Sequence, residues 1–241
     1  EPGDQDIIKC GSVTADGSGN FTESLGFEPQ FILFKAAGQT EGWEIFDGIR
    51  NLTAIKFYNT GIEADSNAAE GTGSKNLQIN ADGFASTGGV SGNITYIYMA
   101  IRRGGMQTPT AASDVFAVDS KGGEDAAPAY RGGFPVDLAL YGKDQQGSLT
   151  AVSDRLRGAQ QLYANLTNAE AGESDATFDF MNGFLNQGSL DATQFGYLWA
   201  RARGYFDVVV YSGPDGAGNI SHNLGVVPEM IWVKNTDATE N

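Results

Sequence analysis

The sequence is poor in the residues on which many catalytic and metal sites depend. It contains one cysteine, Cys10, and one histidine, His222. A single cysteine excludes an intrachain disulfide and a cysteine-rich zinc site. A single histidine excludes a metal site with two histidine ligands, and any Ser-His-Asp triad would have to use His222. These absences remove most hydrolase classes.

Positive charge and long apolar runs are also scarce. The chain has 15 Lys and Arg against 30 Asp and Glu, which gives a formal net charge of −15. A strongly acidic surface repels nucleic-acid phosphates and is not attracted to anionic membranes. No apolar run approaches the ~20 residues that a membrane-spanning helix needs. We therefore expect neither a nucleic-acid partner nor a membrane partner.

Glycine and aromatic residues are abundant, with 33 Gly, 14 Phe, 9 Tyr and 3 Trp in 241 residues. This combination favours short strands joined by tight turns. Apolar or β-branched runs at residues 31–34, 206–211 and 230–233 are typical of strands, and Asp-Gly pairs beside such runs indicate hairpins. We predict an all-β fold of tandem antiparallel β-sandwich modules with short turns. At most one short helix is expected, within residues 153–171.

Internal repetition is the strongest signal in the sequence. Residues 16–35 align without a gap with residues 215–234, at an offset of 199. Copies at a fixed offset indicate a repeated folding unit. The residues that we assign to this structural repeat are Asp16, Gly17, Gly26, Pro29, Asp215, Gly216, Gly225 and Pro228.

A fainter copy lies between these two segments. Residues 133–141 resemble residues 26–34. The pattern Asp47-x-x-Arg50 recurs as Asp154-x-x-Arg157, at an offset of 107. A carboxylate and a guanidinium at this spacing can form a bidentate bridge that fixes a loop, so we assign both pairs to the structural repeat.

Three modules follow from these alignments. An aromatic closing strand at residues 96–104 aligns with residues 196–204, at an offset of 100. We predict β-module 1 at residues 1–104, a divergent β-module 2 at residues 105–204, and the start of a third module at residues 205–241. Since the third module holds only the opening of the pattern, we expect the intact protein to be longer.

The order of these motifs resembles that of tandem β-modules in virion structural proteins of tailed, often marine, bacteriophages, of the tail-fibre or appendage type. The elements are Leu-Gly-Phe-x-Pro running to Lys35, Trp-x-x-x-Asp-x-x-Arg at residues 43–50, Asp-Gly-Phe at 82–84 and the aromatic strand. The middle copy departs from this pattern. Leu149 stands where Trp43 would be, and Gly142 replaces Lys35.

The resemblance implies an architectural protein without enzymatic activity. We expect a fibre, appendage or capsid-decorating component of the extracellular particle, with other virion proteins as partners and a homo-oligomeric assembly. A host-surface glycan is a further expected partner. The alternatives are a carbohydrate-binding adhesin, for which Trp43 is the candidate ligand-binding residue, and a polysaccharide depolymerase that would use Glu44 or Asp47.

The remaining motifs favour structural roles, and we expect no catalytic residue, no metal site and no cofactor. The loop of Asp16 and the loop of Asp215 place Asp and Asn at alternate positions, as in calcium loops. Position twelve of an EF-hand pattern, however, holds Phe27 and Val226 instead of glutamate. A glycine-containing hairpin turn explains the same residues, with calcium as the alternative. His222 aligns with Glu23, so we expect a solvated loop residue.

Overall fold

The computed structural model of the chain describes residues 7–50, 52–54, 60–72, 75–104, 108–120, 127–143, 149–172, 176–186, 194–211 and 218–237. The chain divides into two compact units. Unit 1 comprises Glu1–Gly105 with Val209–Ser221, and unit 2 comprises Met106–Val208 with His222–Asn241. Within the described ranges the regular structure is antiparallel β-sheet, apart from a single 3-10 turn at Ala112–Asp114. The predicted all-β class is confirmed.

Unit 1 contains nine strands that form two sheets. The six-stranded sheet has the order β1-β9-β3-β4-β5-β6, and the three-stranded sheet has the order β2-β8-β7. The strands are β1 Ile8–Thr14, β2 Asn20–Ser24, β3 Pro29–Ala36, β4 Glu44–Asp47, β5 Thr60–Glu63, β6 Gly71–Thr72, β7 Leu77–Ile79, β8 Gly83–Thr87 and β9 Thr95–Arg102.

Unit 2 repeats this architecture strand for strand. Its six-stranded sheet has the order β10-β18-β12-β13-β14-β15, and its three-stranded sheet has the order β11-β17-β16. The strands are β10 Phe116–Ser120, β11 Tyr130–Arg131, β12 Leu138–Lys143, β13 Thr150–Asp154, β14 Gln160–Tyr163, β15 Ala171–Gly172, β16 Ala176–Thr177, β17 Gly183–Asn186 and β18 Gln194–Trp199.

Aromatic side chains join the two sheets of each unit. In unit 1 the ring of Phe84 on the small sheet lies 6.2 Å from Phe34 and 5.1 Å from Tyr98, both on the large sheet. In unit 2 the ring of Phe184 lies 5.2 Å from Tyr141. Alternate residues of the central strands therefore face a shared core, and their neighbours face outward, as the two-residue period of a strand requires.

Strand pairing fixes which residues of the two units correspond. Phe31 pairs with Asp47 in unit 1, and Leu138 pairs with Asp154 in unit 2. The two aspartates thus occupy the same position. Counting back four residues from each places Thr150, and not Leu149, at the position of Trp43, so the sequence alignment was wrong by one residue there.

The closing strands align differently from the prediction. Phe31 also pairs with Ile101, and Leu138 also pairs with Trp199. Ile101 therefore corresponds to Trp199, at an offset of 98 instead of the expected 100. The sequence alignment is therefore shifted by two residues. Such a shift keeps every side chain on the same face of the strand, so the two alignments match residues of similar character.

The segment with helical features, residues 153–171, forms no helix. It contains the end of β13, a tight turn and strand β14, whose residues pair with β13. Strand pairing within the large sheet overrides the local preference, since isolated helical tendency is a weak determinant of structure. No helix in the described part of the chain is long and apolar enough to cross a membrane.

The runs at 206–211 and 230–233 are not strands in their described residues, contrary to expectation. Phe206 makes only an isolated bridge to Ala202. Met230 and Trp232 are 85 % and 76 % exposed. At the offset of 199, residues 205–241 correspond to a segment that holds β1, β2 and β3. In unit 1, β9 and β4 hydrogen-bond both edges of β3, whereas residues 218–237 form no strand pairing.

Candidate functional site

An aspartate–arginine pair fixes the same turn in both units. Asp47 ends β4 and Asp154 ends β13. The Oδ2 atom of Asp47 lies 2.5 Å from Nη2 of Arg50, and Oδ2 of Asp154 lies 2.5 Å from Nε of Arg157. In each unit the aspartate Oδ1 also accepts a hydrogen bond of 3.0 Å from the arginine backbone N–H. The carboxylate therefore holds both the side chain and the turn.

A glutamate completes each pair into a three-residue cluster. Arg50 Nη1 lies 3.4 Å from Glu70 Oε1, and Arg157 Nη1 lies 3.0 Å from Glu170 Oε2. Each glutamate immediately precedes the edge strand, β6 or β15. Neither glutamate was predicted as a site residue, although the dipeptide Ala69-Glu70 recurs as Ala169-Glu170. The cluster thus ties a turn in the middle of the sheet to the sheet edge.

The two clusters differ in burial. The side chains of Arg157 and Asp154 are 4 % and 5 % exposed, whereas those of Arg50 and Asp47 are 26 % and 24 % exposed. Burial disfavours the Arg157 guanidinium ion, yet Asp154 and Glu170 outweigh this effect and raise its pKa. Burial is the largest influence on Glu170 and raises its pKa; the contacts with Arg157 lower it without reversing the rise, and repulsion from Asp154 and Asp237 adds to it.

Glycines at matched turns adopt the left-handed conformation. Gly26, Gly133 and Gly225 have φ values of 78°, 78° and 77°. The backbone N–H of Gly26 donates to Asp82 O at 2.9 Å, and that of Gly133 donates to Asn182 O at 3.1 Å. Only glycine adopts this conformation without strain, so these three residues allow the backbone to turn at these positions.

Asp16 uses both carboxylate oxygens within its own turn. Oδ1 accepts hydrogen bonds from the backbone N–H groups of Ser18 and Asn20, and Oδ2 accepts one from the Asn20 amide. These donors, Asn20 first, lower the pKa of Asp16. Gly17 lies in the same turn, while Asp215 and Gly216 lie outside the described residues. Across the described ranges, no three His, Cys, Asp or Glu side chains form a group that could hold a metal ion.

The two repeat prolines lie in different surroundings. Pro29 is buried and begins β3, where its pairing with Arg102 is followed by a shift in register. Pro228 lies in the segment without strands. Pro29 thus starts a central strand, which is a position that proline tolerates because its missing N–H is not needed inside the ladder.

The acidic residues around Trp43 are held by cations. Glu44 is buried and forms an ion pair with Lys75, whose Nζ also lies 3.1 Å from Glu41 Oε2. Burial opposes the Lys75 charge, but Glu44 and Glu41 raise its pKa overall. Asp47 is bound by Arg50 as described above. This geometry differs from the acid and nucleophile pair of a glycosidase, in which one carboxyl must hold a transferable proton.

Trp43 itself is half-buried and immediately precedes β4. Lys35 Nζ lies 5.9 Å from the centroid of the indole ring. This cation–π contact covers one face of the ring, which a sugar would otherwise use for stacking. His222 is exposed, and its Nδ1 accepts a hydrogen bond of 3.2 Å from the backbone N–H of Leu224.

A cluster of aromatic rings lies on the outer face of the large sheet in unit 2. We call it the aromatic row, and it consists of Phe116, Phe195, Tyr197, Trp199 and Phe206. The ring centroids of Phe195 and Tyr197 are 5.5 Å apart, and those of Tyr197 and Trp199 are 6.3 Å apart. The row was not singled out from the sequence, although the alternation Phe195-x-Tyr197-x-Trp199 is the signal for one face of a strand.

Residues 7–103 match the family model of a domain of unknown function, DUF7483. This DUF7483-like segment contains all nine strands of unit 1 and the Asp47–Arg50–Glu70 cluster. The aromatic row lies outside it. Comparisons with curated proteins and with solved structures give no match.

Proposed function

We propose that this chain is an architectural component of a tailed-phage virion, such as a tail fibre, an appendage or a capsid-decorating protein. The carrying observation is that two units of different sequence share one strand order. The residues they have in common include turn glycines, the Asp–Arg ion pairs and a core phenylalanine, Phe84 or Phe184. A repeated unit that keeps its turn residues and ion pairs can extend an assembly without requiring a new fold.

The proposed mechanism is mechanical. Each unit encloses its own aromatic core, and its Asp–Arg–Glu cluster ties a turn to the edge strand. We propose a homo-oligomer that contacts other virion proteins, without a catalytic step. The net charge of −15 supports solubility of such an assembly and opposes binding to nucleic acid.

Particle association tests this role. Phage particles from the source that encodes the chain are purified on a density gradient, and the chain is quantified by mass spectrometry against the major capsid protein. We expect it to co-purify with intact particles in a copy number that fits a symmetric assembly. Immunogold labelling with antibodies to the recombinant chain should mark one location on the particle. Recovery of the chain only in the soluble lysate would refute the role.

The depolymerase alternative has a direct test. The purified chain is incubated with host-surface polysaccharide, and the size distribution of the polymer is followed by light scattering. We expect no change in polymer size. A decrease that is abolished by Glu44→Gln or Asp47→Asn, with folding intact by circular dichroism, would replace the architectural proposal with an enzymatic one.

A further inference from the structure

We propose that the aromatic row of unit 2 binds an extended, neutral glycan chain by stacking sugar rings on its aromatic faces. The row points away from the core. On β18, Phe195, Tyr197 and Trp199 alternate with Gly196 and Leu198, which are buried. The three aromatic side chains are therefore on the outer face, and each is only partly buried.

The rings of the aromatic row adjoin one another and together form one continuous surface. Phe116 on the neighbouring strand lies 5.2 Å from Trp199 and is within 10° of parallel to Tyr197. Phe206 extends the row, at 6.0 Å from Trp199. Ring faces carry partial negative charge and attract the polarised C–H groups of a pyranose. Several rings in line suit a ligand with repeated flat units, as a polysaccharide has.

The equivalent positions of unit 1 carry aliphatic side chains. Ile97, Met99 and Ile101 lie where unit 2 has Phe195, Tyr197 and Trp199, and Ile8 lies where it has Phe116. Aliphatic residues are sufficient for a face that packs against another protein. Four aromatic residues at matched positions instead supply flat, polarised faces, which an apolar packing surface does not require.

The row also carries polar groups that are available to a ligand. No described residue accepts a hydrogen bond from the hydroxyl of Tyr197 or the indole N–H of Trp199. Both groups can bond sugar hydroxyls at the edge of the stacked rings. Aromatic platforms that bind single-stranded nucleic acid combine stacking with a basic groove, and the net charge of −15 opposes that ligand as well as acidic glycans.

This binding role goes beyond the architectural proposal and does not depend on where the protein resides. The test uses the purified full chain in affinity gel electrophoresis with a panel of soluble neutral polysaccharides: a β-glucan, a mannan, a xylan and a galactan. We expect migration to be retarded by at least one of them. Oligosaccharides of that polymer should change the tryptophan fluorescence and give a dissociation constant.

Two variants separate stacking from general apolar contact. Trp199→Ala is expected to weaken binding about tenfold, in line with the loss of one buried stacking contact. The triple variant Phe195→Ile, Tyr197→Met and Trp199→Ile restores the side chains of unit 1 and keeps the face apolar, so it should fold and lose binding. Trp43→Ala is the matched control and should bind as the wild type does.

Four outcomes would overturn the proposal. Three are retardation by none of the neutral polysaccharides, binding that persists in the triple variant with native circular dichroism, and loss of binding in Trp43→Ala alone. A fourth is self-association through the row, seen by light scattering as an oligomer that Trp199→Ala dissociates while no glycan is bound. Since particle association is measured separately, a failure of glycan binding leaves the architectural proposal standing.

Discussion

Replacing Asp154 with Asn should destabilise unit 2 far more than the matched replacement Asp47→Asn destabilises unit 1. The two aspartates occupy the same position in the same turn. Asn keeps one oxygen, so it can still accept the hydrogen bond from the backbone N–H of Arg157 or Arg50. The substitution therefore removes mainly the negative charge, and it places an N–H donor opposite the guanidinium.

Burial sets the expected magnitudes. With Asp154 neutral, a guanidinium that is 4 % exposed keeps only Glu170 as a carboxylate partner within the described ranges. Removing one member of a buried ion pair costs about 3–5 kcal/mol. Arg50 is 26 % exposed, and water screens its charge. Because water reaches this pair, we expect its contribution to lie near the roughly 0.2–1 kcal/mol of a solvent-exposed pair.

Urea unfolding followed by circular dichroism gives the free energy of unfolding of each variant. Hydrogen exchange with mass spectrometry then assigns each loss to peptides of β13 and β14 or of β4 and β5. For a unit of ~100 residues, a loss of about 3 kcal/mol also lowers the melting temperature by roughly 12 °C or more. Equal losses in the two variants, or a loss below about 1 kcal/mol for Asp154→Asn, would contradict burial as the cause.

Substitutions at other ionic contacts and at the turn glycines have equally defined expected effects on stability. Because burial raises the pKa of Glu170 above its unfolded value, ionising it costs stability as the pH rises through that interval. Glu170→Gln should therefore match the wild type near pH 4 and equal or exceed its unfolding free energy at pH 7, and a lower value at pH 7 would contradict this sign. Gly26→Ala should cost about 1–2 kcal/mol because its φ is positive, whereas Gly104→Ala, with open space around it, should cost under about 0.5 kcal/mol in the same urea assay. Lys75→Met should lower stability at pH 7, because it removes the cation that pairs with the buried carboxylate of Glu44, and urea unfolding would measure the loss.

The sequence was informative wherever a local pattern carries its own geometry. The Asp-x-x-Arg repeat predicted the paired ties at Asp47 and Asp154, and the alignment assigned Gly26 and Gly225 to the structural repeat, where both have positive φ. Partners that are distant in sequence could not be predicted in this way. Glu70 meets Arg50 only because pairing of β4 with β5 and of β5 with β6 brings the edge of the sheet back to the turn.

The sequence also did not show which apolar runs have hydrogen-bonding strands on both sides. The run Met230-Ile231-Trp232-Val233 has the composition of a central strand, as does Phe31-Ile32-Leu33-Phe34. The second run becomes a strand because β9 and β4 satisfy its backbone groups on both sides. The composition of a run favours β-structure, but the run forms a strand only where neighbouring strands hydrogen-bond its backbone.

The two units fill the same space in their cores with aromatic rings from different strands. Unit 1 has Tyr98 on its closing strand, and Gly11 on the neighbouring strand leaves space for the ring, since a Cβ there would lie 2.5 Å from the Tyr98 hydroxyl. Unit 2 has Gly196 at the position of Tyr98, and the ring of Tyr130 from the small sheet fills that space, 3.0 Å from where a Cβ of Gly196 would be.

Such paired exchanges are expected of a close-packed core, because a change in volume on one strand must be offset on another. The outer face of the large sheet is under no such constraint. There the positions of Ile8, Ile97, Met99 and Ile101 in unit 1 carry aromatic side chains in unit 2. The fold therefore separates residues that maintain its shape from residues that can acquire a ligand. For this reason the outer face of β18, and not the repeated ion clusters, is where the units should differ in what they bind.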